Sequence, residues 1–514
     1  MLNDTARLIR ALLMLTMSCF IVISGISQVN YESYILTPAP PLSPVINGPK
    51  VYAARANSPI TYRIPATGER PILFSATNLP AGITLDVNTG IITGSIPQEG
   101  EYICHLTAAN KKGKYKRDLK FVIGNTLALT PPMGWNSWYI HYDRVSDPIM
   151  RDAADQMIES GMADYGYQYV NIDDCWAVKV NSDDPIIGGK TRKPDGTILT
   201  NKRFPNMSAM TKYIHSKGLK AGIYTSPGPS TCAGYTGSYQ HEALDAQTIA
   251  NWGFDFLKYD WCSYGRYAGE RKRKDFMLPY QIMWKELQKQ PRDIVMNLCQ
   301  YGFDSVWQWG ATVGNSWRTT GDLGVERGDD LPGFYHVGFK NAEHWKYGGP
   351  GGWNDPDYIL IGWVGSAHTM GEGVYTSLTP DEQYSYMSMW SLMSAPLIFS
   401  GDMSKLDKFT LNVLCNSEVI EVDQDPLGKQ ARIVRKTDKD FILAKEMEDG
   451  SLAVGLFNLQ KSESPVAVSW EELDITGKRR VRDLWRQKDL NKTNHSFTAN
   501  APPHGVMMIR LAKK

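Results

Sequence analysis

Aspartates stand at or shortly after several short apolar segments in the middle of this chain of 514 residues. The aspartates in such positions are Asp173, Asp174, Asp260, Asp322, Asp355 and Asp357. A single aspartate at the end of an apolar segment is usually a turn or cap residue. Carboxylates after four separate segments are more than turns require, so their joint placement indicates a functional site.

Two carboxylates that face each other across a sugar ring can cleave a glycosidic bond, because one attacks the anomeric carbon and the other protonates the departing oxygen. The attacking carboxylate must stay ionised, which a nearby cation such as Lys258 or Arg318 would favour. The acid needs a raised pKa, which burial or a neighbouring negative charge supplies. A separation of about 5–6 Å between the two groups would favour direct attack and net retention.

A metal site is the alternative interpretation of Asn354, Asp355 and Asp357, whose side chains offer oxygen ligands. No histidine accompanies these residues, and Pro356 stiffens the segment between them. We therefore expect no metal and no other cofactor.

The apolar segments alternate with amphipathic helices between Leu127 and about Phe399. Eight candidate strands lie near Met133–Trp138, Tyr169–Ile172, Ala221–Tyr224, Phe256–Tyr259, Ile294–Leu298, Val313–Trp317, Gly352–Asn354 and Pro396–Phe399. Eight strand–helix repeats of this length predict an α/β fold, the closed (β/α)8 TIM barrel. The carboxyl ends of barrel strands converge on one face, where we expect the aspartates to meet.

Short strands and turns replace this alternation on both sides of the barrel segment. We predict a Pro-rich linker over residues 28–45, an Ig-like β-sandwich over 46–124, the catalytic barrel over 125–408 and a C-terminal antiparallel β-sandwich over 409–514. The Ig-like segment has no acidic or histidine cluster, so we interpret it as a spacer or docking module.

Residues 1–27 have the composition of an export signal. Arg7 and Arg10 precede an apolar run from Ala11 to about Ile26, and the small residue Ser27 follows. The prediction is an exported protein, periplasmic or secreted, with no membrane span after cleavage. An uncleaved anchor is the alternative, because the run is near the shortest length that spans a bilayer.

The overall composition gives no reason to expect nucleic acid as a partner. Lys and Arg number 55 and Asp and Glu number 54, so the formal net charge is +1. The 15 Trp and 26 Tyr residues fit either sugar binding or the packing of a large core. The seven cysteines include no pair at zinc-ligand spacing, and an oxidising compartment would permit disulfides.

Longer motifs surround the predicted strand ends. They are Leu127-Ala-Leu-Thr-Pro-Pro-Met-Gly-Trp-Asn-Ser-Trp, Ile172-Asp-Asp-Cys-Trp, Gly222-Ile-Tyr, Thr231-Cys-Ala-Gly, Leu257-Lys-Tyr-Asp, Ser316-Trp-Arg-Thr-Thr-Gly-Asp and Trp353-Asn-Asp-Pro-Asp. Together they resemble glycoside hydrolase family 27, the alpha-galactosidases and alpha-N-acetylgalactosaminidases, from Leu127 to about Pro426. The segment before the barrel resembles the Ig domains found in front of secreted bacterial enzymes.

The resemblance implies a role for each matching residue. Asp260 matches the nucleophile of the family, and Asp322 matches its acid/base. The expected substrate-binding residues are Trp138, Asp173, Asp174, Tyr224, Lys258, Gln300, Arg318 and Asp357. Among these, Asp173 and Asp174 match the pair that binds the O4 and O6 hydroxyls of galactose, while Trp138 and Tyr224 match walls of the sugar pocket. Lys258 and Arg318 match contacts to sugar hydroxyls and balance the charge.

Cys232 and Cys262 match a family disulfide that ties together the loops after strands three and four. Elsewhere the chain departs from the family. The family usually has Cys-Glu-Trp where this chain has Cys299-Gln300-Tyr301, a stretch that faces the C2 substituent, although a glutamine can still bind a 2-hydroxyl. Tyr358 stands where the family often has Met, which bears on the aglycone side. Cys175 lacks its usual partner, which predicts a free, buried thiol.

The implied activity is the removal of terminal, non-reducing alpha-D-galactosyl residues from oligo- or polysaccharides, with net retention by double displacement. Two alternatives keep this mechanism and change the substrate to a beta-L-arabinopyranoside or an alpha-N-acetylgalactosaminide. The Asp173–Asp174 pair favours galactose, because it provides a partner for O6. A carbohydrate-binding protein on an inactive barrel is the non-enzymatic alternative, and the presence of both Asp260 and Asp322 argues against it.

Overall fold

The computed structural model describes residues 30–323, 330–365 and 373–513. The predicted signal segment, residues 1–27, lies outside these described residues. Contacts divide the chain after Ile35, and the described part of the first unit contains a 3-10 turn at Glu32–Tyr34. Within the described ranges, no helix is both long enough and apolar enough to cross a membrane.

Short strands on the amino-terminal side of the larger unit form Ig-like layers. They are β1 (Val45–Ile46), β2 (Val51–Ala54), β3 (Ile60–Arg63), β4 (Ala66–Thr67), β5 (Leu73–Thr77), β6 (Ile83–Leu85), β7 (Ile91–Gly94), β8 (Gly100–Asn110) and β9 (Gly113–Ile123). A sheet of order β2-β9-β8-β5 and a sheet of order β3-β7-β6 enclose a core that includes Ile92, Leu106 and Phe121. Buried residues recur at every second position in the middle of β8 and the end of β9, so one face of this hairpin lies in the core.

In the described part of the chain, eight parallel strands form a single curled sheet. The elements of this region are β10 (Met133–Asn136), α1 (Trp138–His141), α2 (Asp147–Glu159), β11 (Tyr169–Asn171), α3 (Met207–Ser216), β12 (Lys220–Thr225), α4 (Glu242–Trp252), β13 (Phe256–Asp260), α5 (Arg273–Gln288), β14 (Val295–Cys299), β15 (Ser316–Arg318), α6 (Gly333–Ala342), β16 (Trp353–Asp355), β17 (Trp363–Val364), β18 (Val374–Tyr375), α7 (Pro380–Leu392) and β19 (Leu397–Phe399).

The sheet order β16-β15-β14-β13-β12-β11-β10-β19 follows the chain around the ring. The ring closes where Ile359, just after β16, pairs in parallel with Phe399 of β19. This arrangement confirms the predicted barrel fold. Among the eight strands, the sixth departs most from its predicted bounds. It begins at Ser316 rather than Val313 and is preceded by a 3-10 turn.

The barrel strands are buried on both faces, as expected for parallel strands that are covered by helices. Lys220 is the one residue of the eight described strands that is not fully buried. Gly222 in β12 shows how closely the strands pack, because a Cβ at this position would lie 2.0 Å from the Asn171 side chain. The start of α7 is fixed by a capping box in which Thr379 and Glu382 bond each other's backbone amides.

Two helices, α8 (Lys408–Leu414) and α9 (Ser417–Asp423), lead from the barrel to a C-terminal sandwich. Its strands are β20 (Arg432–Lys436), β21 (Asp440–Glu446), β22 (Leu452–Asn458), β23 (Ser464–Ser469), β24 (Arg479–Asp483), β25 (Lys488–Asp489), β26 (Ser496–Ala501) and β27 (Val506–Lys513). The sheet β20-β21-β22-β27-β24-β25 packs against the pair β23-β26 around Val454, Val468 and Ile509. This confirms the predicted antiparallel sandwich.

The Ig-like layers are fixed to the amino-terminal end of the barrel. Arg55 Nε lies 2.6 Å from Asp293 Oδ1, and its guanidinium donates to the carbonyls of Gln288, the last residue of α5, and of Gln290 and Arg292 just after it. Because Asp293 precedes β14, this contact lies at the opposite end of the strands from the predicted site.

Part of the predicted linker, residues 28–45, is also fixed to its neighbours. The Leu36 amide donates to the Tyr384 hydroxyl at 3.0 Å. The Asn412 amide donates to the Thr37 carbonyl at 2.8 Å, and the Asn416 amide donates to the Thr37 hydroxyl at 2.9 Å. This part of the segment is therefore packed on α7 and the helices that follow the barrel, rather than being a free tether.

Candidate active site

The carboxyl ends of the barrel strands bring the predicted residues to one face. Asp260, the last residue of β13, is buried and 5% exposed. Its Oδ2 accepts a hydrogen bond from the Tyr224 hydroxyl at 3.0 Å, and its Oδ1 accepts one from the Tyr301 hydroxyl at 2.7 Å. Since both oxygens are held, the orientation of this carboxylate is fixed.

Burial raises the pKa of Asp260 to about 6. The charge of Lys258 and the hydrogen bond from Tyr301 oppose this rise, whereas the charges of Asp322 and Asp173 add to it. The carboxylate is therefore mostly ionised at neutral pH. We expected a cation to keep this group ionised, but Lys258 bonds Asp173 and acts on Asp260 through its charge alone.

Asp322 lies beyond β15 and is held by Arg318. Both terminal nitrogens of the guanidinium are 3.2 Å from Asp322 Oδ1, although the Asp322 side chain is 49% exposed and that of Arg318 is 2% exposed. The side chain matched to the acid/base is therefore in contact with solvent rather than enclosed. The charge of Asp322 nevertheless acts on Asp260 and raises its pKa, so the two carboxylates are electrostatically coupled.

Asp173 is buried and fully engaged by its neighbours. Its Oδ2 accepts hydrogen bonds from Lys258 Nζ at 2.9 Å and from the Tyr358 hydroxyl at 3.0 Å. Burial alone would lower the pKa of Lys258, but the negative groups around it, Asp173 first and Asp260 among the others, together outweigh burial and raise the pKa well above its usual value. Tyr358 is one of the departures from the family pattern, and its hydroxyl lies on Asp173, the carboxylate matched to sugar binding.

Asp174, the neighbour of Asp173, has a different environment. Its Oδ1 accepts from the Cys175 amide at 2.7 Å and its Oδ2 from the Ala233 amide at 2.9 Å. Burial raises the pKa of Asp174 to about 7, and these hydrogen bonds oppose the rise. One carboxylate of the pair thus faces a lysine, while the other is held by neutral donors.

Asp357 is buried beside Arg318 and connects it to the loop of Asp322. Asp357 Oδ2 lies 3.1 Å from Arg318 Nη2 and accepts hydrogen bonds from the Tyr139 hydroxyl at 3.0 Å and the Leu323 amide at 2.9 Å. Asp357 therefore orients both the guanidinium and the backbone next to Asp322.

The two residues matched to pocket walls belong to the ends of β10 and β12, with β11 between them. Tyr224 is buried and donates to Asp260, as described above. Trp138 begins α1, is half-buried, and makes an edge contact with Tyr142 at 4.9 Å between ring centroids.

The residues of the alternative metal site are bonded to protein groups. Asn354 Oδ1 accepts a hydrogen bond from Trp317 Nε1 at 2.7 Å, and Asp355 Oδ2 accepts one from Asn297 Nδ2 at 2.7 Å. These bonds, and those of Asp357, engage side-chain oxygens that a metal ion would otherwise bind.

Gln300 is not placed as expected. Its side-chain oxygen accepts from the Phe303 amide at 2.6 Å and its side-chain nitrogen donates to the Phe303 carbonyl at 3.1 Å, and the residue is completely buried. The amide thus closes its own loop instead of being available to a 2-hydroxyl. The contact of this stretch with Asp260 is made by the next residue, Tyr301, which was not among the predicted site residues. Its position two residues after the end of β14 was the available signal.

Cys232 and Cys262 form a disulfide with a Cα–Cα distance of 4.9 Å, in agreement with the family pairing. Cys232 Sγ lies 4.0 Å from Asp260 Oδ2, so the bridge fixes the loops on both sides of this carboxylate. In the described residues, these two cysteines and Asp260 have the spacing of a metal site, but disulfide sulfurs are not thiolate ligands. Cys175 is free and buried, which confirms the prediction.

A (β/α)8 barrel with a buried carboxylate and a coupled, solvent-facing carboxylate at its strand ends has the parts of a glycoside hydrolase. Residues 130–425 match the family described as Alpha galactosidase A. Residues 441–511 match the Alpha galactosidase C-terminal beta sandwich domain, and residues 43–125 match the family named "Putative Ig domain".

Relatives and solved structures agree with these matches. The alpha-galactosidase of Cyamopsis tetragonoloba is 35% identical over 77% of this chain and 89% of its own length. The structure of alpha-galactosidase I from Mortierella vinacea has a TM-score of 0.68 at 30% identity, over 76% of this chain and 99% of that one. A Bacteroides fragilis structure, provisionally named an alpha-galactosidase/melibiase, has a TM-score of 0.84 at 33% identity, over 93% of this chain and 99% of that one. The chain belongs to the alpha-galactosidase family, glycoside hydrolase family 27.

Proposed function

We propose that this chain is an exo-acting, retaining alpha-galactosidase that removes terminal, non-reducing alpha-D-galactosyl residues from oligo- or polysaccharides. The proposal rests on one observation. A buried carboxylate, Asp260, is held by two tyrosine hydroxyls at the end of β13, and the charge of Asp322 raises its pKa. Membership of the family supports galactose as the sugar.

In the first step, an oxygen of Asp260 attacks the anomeric carbon and the bond from that carbon to the glycosidic oxygen breaks. The departing oxygen takes a proton from Asp322, which leaves a galactosyl ester on Asp260 and a free alcohol. The Asp260 oxygen that does not attack keeps its tyrosine hydrogen bond, so the carboxylate need not reorient during the step.

In the second step, the ionised Asp322 takes a proton from water, and the water oxygen attacks the same carbon as the ester bond breaks. The exposure of the Asp322 side chain gives water access to this group. Two displacements at one carbon give net retention of the anomeric configuration.

Asp173 and Asp174 are proposed to bind the O4 and O6 hydroxyls of galactose. An axial O4 reaches a carboxylate that an equatorial O4 would miss, which separates galactose from glucose. The ammonium of Lys258 and the hydroxyl of Tyr358 fix Asp173 before the sugar binds, so little side-chain ordering is left for the binding step.

A panel of nitrophenyl glycosides followed by proton NMR tests this proposal. We expect the alpha-galactoside to turn over faster than the beta-L-arabinopyranoside and the alpha-N-acetylgalactosaminide, and alpha-galactose to be the first product. If beta-galactose forms first, the reaction inverts and the roles given to Asp260 and Asp322 are wrong. If another glycoside is preferred, the sugar assignment is wrong while the mechanism stands.

We further propose that the protein is exported to the periplasm or secreted. The Cys232–Cys262 disulfide supports this, because such bonds persist in oxidising compartments. Cell fractionation tests it: we expect activity outside the cytoplasm, in a chain that has lost the residues up to about Ser27. Activity confined to the cytoplasm would contradict export.

A further inference from the structure

Six aromatic residues form a partly exposed cluster beside the catalytic carboxylates, which we call the aromatic platform. Its members are Tyr239, Trp261, Tyr264, Tyr267, Phe276 and Phe303. The ring centroids of Trp261 lie 5.1 Å from those of both Tyr264 and Phe276, and those of Phe276 and Phe303 are 5.6 Å apart. The rings are therefore in mutual contact across several loops.

The chain topology places the aromatic platform on the catalytic face. Tyr239 follows β12, Trp261 and Tyr267 follow β13, and Phe303 follows β14, so all belong to loops at the carboxyl ends of barrel strands. Phe276 lies in the first turns of α5, immediately after the loop that follows β13.

The aromatic platform is continuous with the reacting groups. The ring of Tyr301 lies 5.9 Å from that of Phe303, and its hydroxyl bonds Asp260. The same loop also touches the segment that leads to Asp322, because a Cβ at Gly302 would lie 2.4 Å from the Thr319 carbonyl oxygen. Phe303 therefore belongs to a loop that contacts both Asp260, through Tyr301, and the segment that leads to Asp322, through Gly302.

Part of this surface is exposed to solvent. Tyr267 is 46% exposed and Phe303 is 39% exposed, although both are large apolar residues. Exposed apolar patches next to a binding site usually mark a surface that binds a ligand. Aromatic rings present flat apolar faces, which match the C–H faces of sugar rings.

We infer that the aromatic platform binds the sugar residues of the substrate beyond the cleaved bond, and that it favours a long glycan chain over a small galactoside. This inference rests on the proposed galactosidase function. The sugar that carries the galactosyl group lies next to Phe303, and residues further along the glycan reach Tyr267.

The test compares a polymer with a small substrate in Phe303→Ala and Tyr267→Ala variants. We expect the ratio of kcat/KM on galactomannan to kcat/KM on nitrophenyl alpha-galactoside to fall about tenfold. Tyr347→Ala is the matched control, because Tyr347 is 45% exposed and stands in a turn before β16, at the other end of the barrel. This variant should keep the wild-type ratio. An unchanged ratio in both platform variants, or an equal loss on both substrates, would overturn the inference.

A binding measurement separates this inference from the proposed function. The inactive Asp260→Ala protein is run in native gels that contain galactomannan, with and without Phe303→Ala. Retardation that is lost with Phe303→Ala supports the aromatic platform even if no galactoside is turned over. Equal mobility of the two proteins, each with a wild-type melting temperature, would contradict it, whatever the activity of the wild type.

Discussion

One barrel strand, β13, has a buried aspartate at each end, and the two environments differ. Asp255, directly before the strand, accepts from His215 Nε2 at 2.7 Å, Arg292 Nη1 at 2.6 Å and the Ala221 amide at 2.9 Å. Burial alone would raise the pKa of Asp255, but His215 and Arg292 outweigh it and lower the pKa. At the other end, burial prevails and raises the pKa of Asp260 to about 6.

Burial cannot explain this difference, because Asp255 is 7% exposed and Asp260 is 5% exposed. The difference lies in the hydrogen-bond partners, which are cationic or potentially cationic side chains for Asp255 and tyrosine hydroxyls for Asp260. A carboxylate with cationic partners stabilises the fold. One that is left with neutral partners stays available for reaction and destabilises the fold when it ionises.

The largest expected effect concerns Asp260→Ala. Removal of the nucleophile should lower kcat on nitrophenyl alpha-galactoside by about 10⁴-fold or more, while the fold survives. Steady-state kinetics and a thermal melt measure the two effects. A variant that keeps a tenth of the wild-type activity would show that Asp260 is not the nucleophile.

The second prediction concerns the other end of the strand. Asp255→Asn should lower the free energy of unfolding by about 3 kcal/mol, because it leaves the charge of Arg292 without its buried partner. Since the folded-state pKa of Asp255 is lowered, this contribution is present above pH 4 and is lost as the pH falls further. Urea unfolding at pH 7 and at acidic pH measures it. A variant with wild-type stability, or one whose folded fraction loses more than half of its kcat, would contradict a purely structural role for Asp255.

The third prediction is a gain in stability, where the second was a loss. Asp260→Asn should raise the stability at pH 7 by about 3 kcal/mol, which corresponds to the shift in the pKa of Asp260 from 3.8 to about 6. Because the folded-state pKa is raised, the penalty of ionisation is absent below pH 4 and grows as the pH rises through about 6. The melting temperature of the variant should therefore equal that of the wild type at pH 4 and exceed it at pH 7. A destabilised variant at pH 7 would argue that Asp260 is a structural residue.

The smallest expected effect concerns Tyr301→Phe. Its hydrogen bond lowers the pKa of Asp260, so its loss should move the acid limb of the kcat/KM profile from about pH 6 to higher pH. We expect kcat/KM at neutral pH to fall about tenfold. Tyr213→Phe is the matched control, since it removes a tyrosine–aspartate bond between α2 and α3, on the outside of the barrel. If both variants keep the wild-type pH profile, Tyr301 does not tune the nucleophile.

The barrel and the region of its site could be predicted because both depend on short-range patterns. Apolar strands and amphipathic helices alternate along the chain, and the polar residues at each strand end fall on one face of the closed sheet. The disulfide between Cys232 and Cys262 followed from the family resemblance, and the structure confirms it.

The partners within the site could not be predicted, because they depend on how the loops fold back. Asp173 and Tyr358 are 185 positions apart in sequence, yet their side chains are in direct contact. Gln300 was expected at the sugar, but a local hydrogen-bonded turn with Phe303 withdraws its side chain and brings Tyr301 to Asp260. Residue types at the strand ends indicate a function, whereas loop geometry decides which of them acts.

The most direct test of the nucleophile is covalent trapping with 5-fluoro-alpha-D-galactopyranosyl fluoride. The ring fluorine slows both displacements, while the fluoride leaving group keeps the first one fast enough for the ester to accumulate. Intact-mass and peptide mass spectrometry should find one fluorogalactosyl group per chain, on the peptide that contains Asp260, and none on the Asp260→Ala variant. A label on a different carboxylate, or no label on an enzyme that turns over alpha-galactosides, would contradict the double displacement at Asp260.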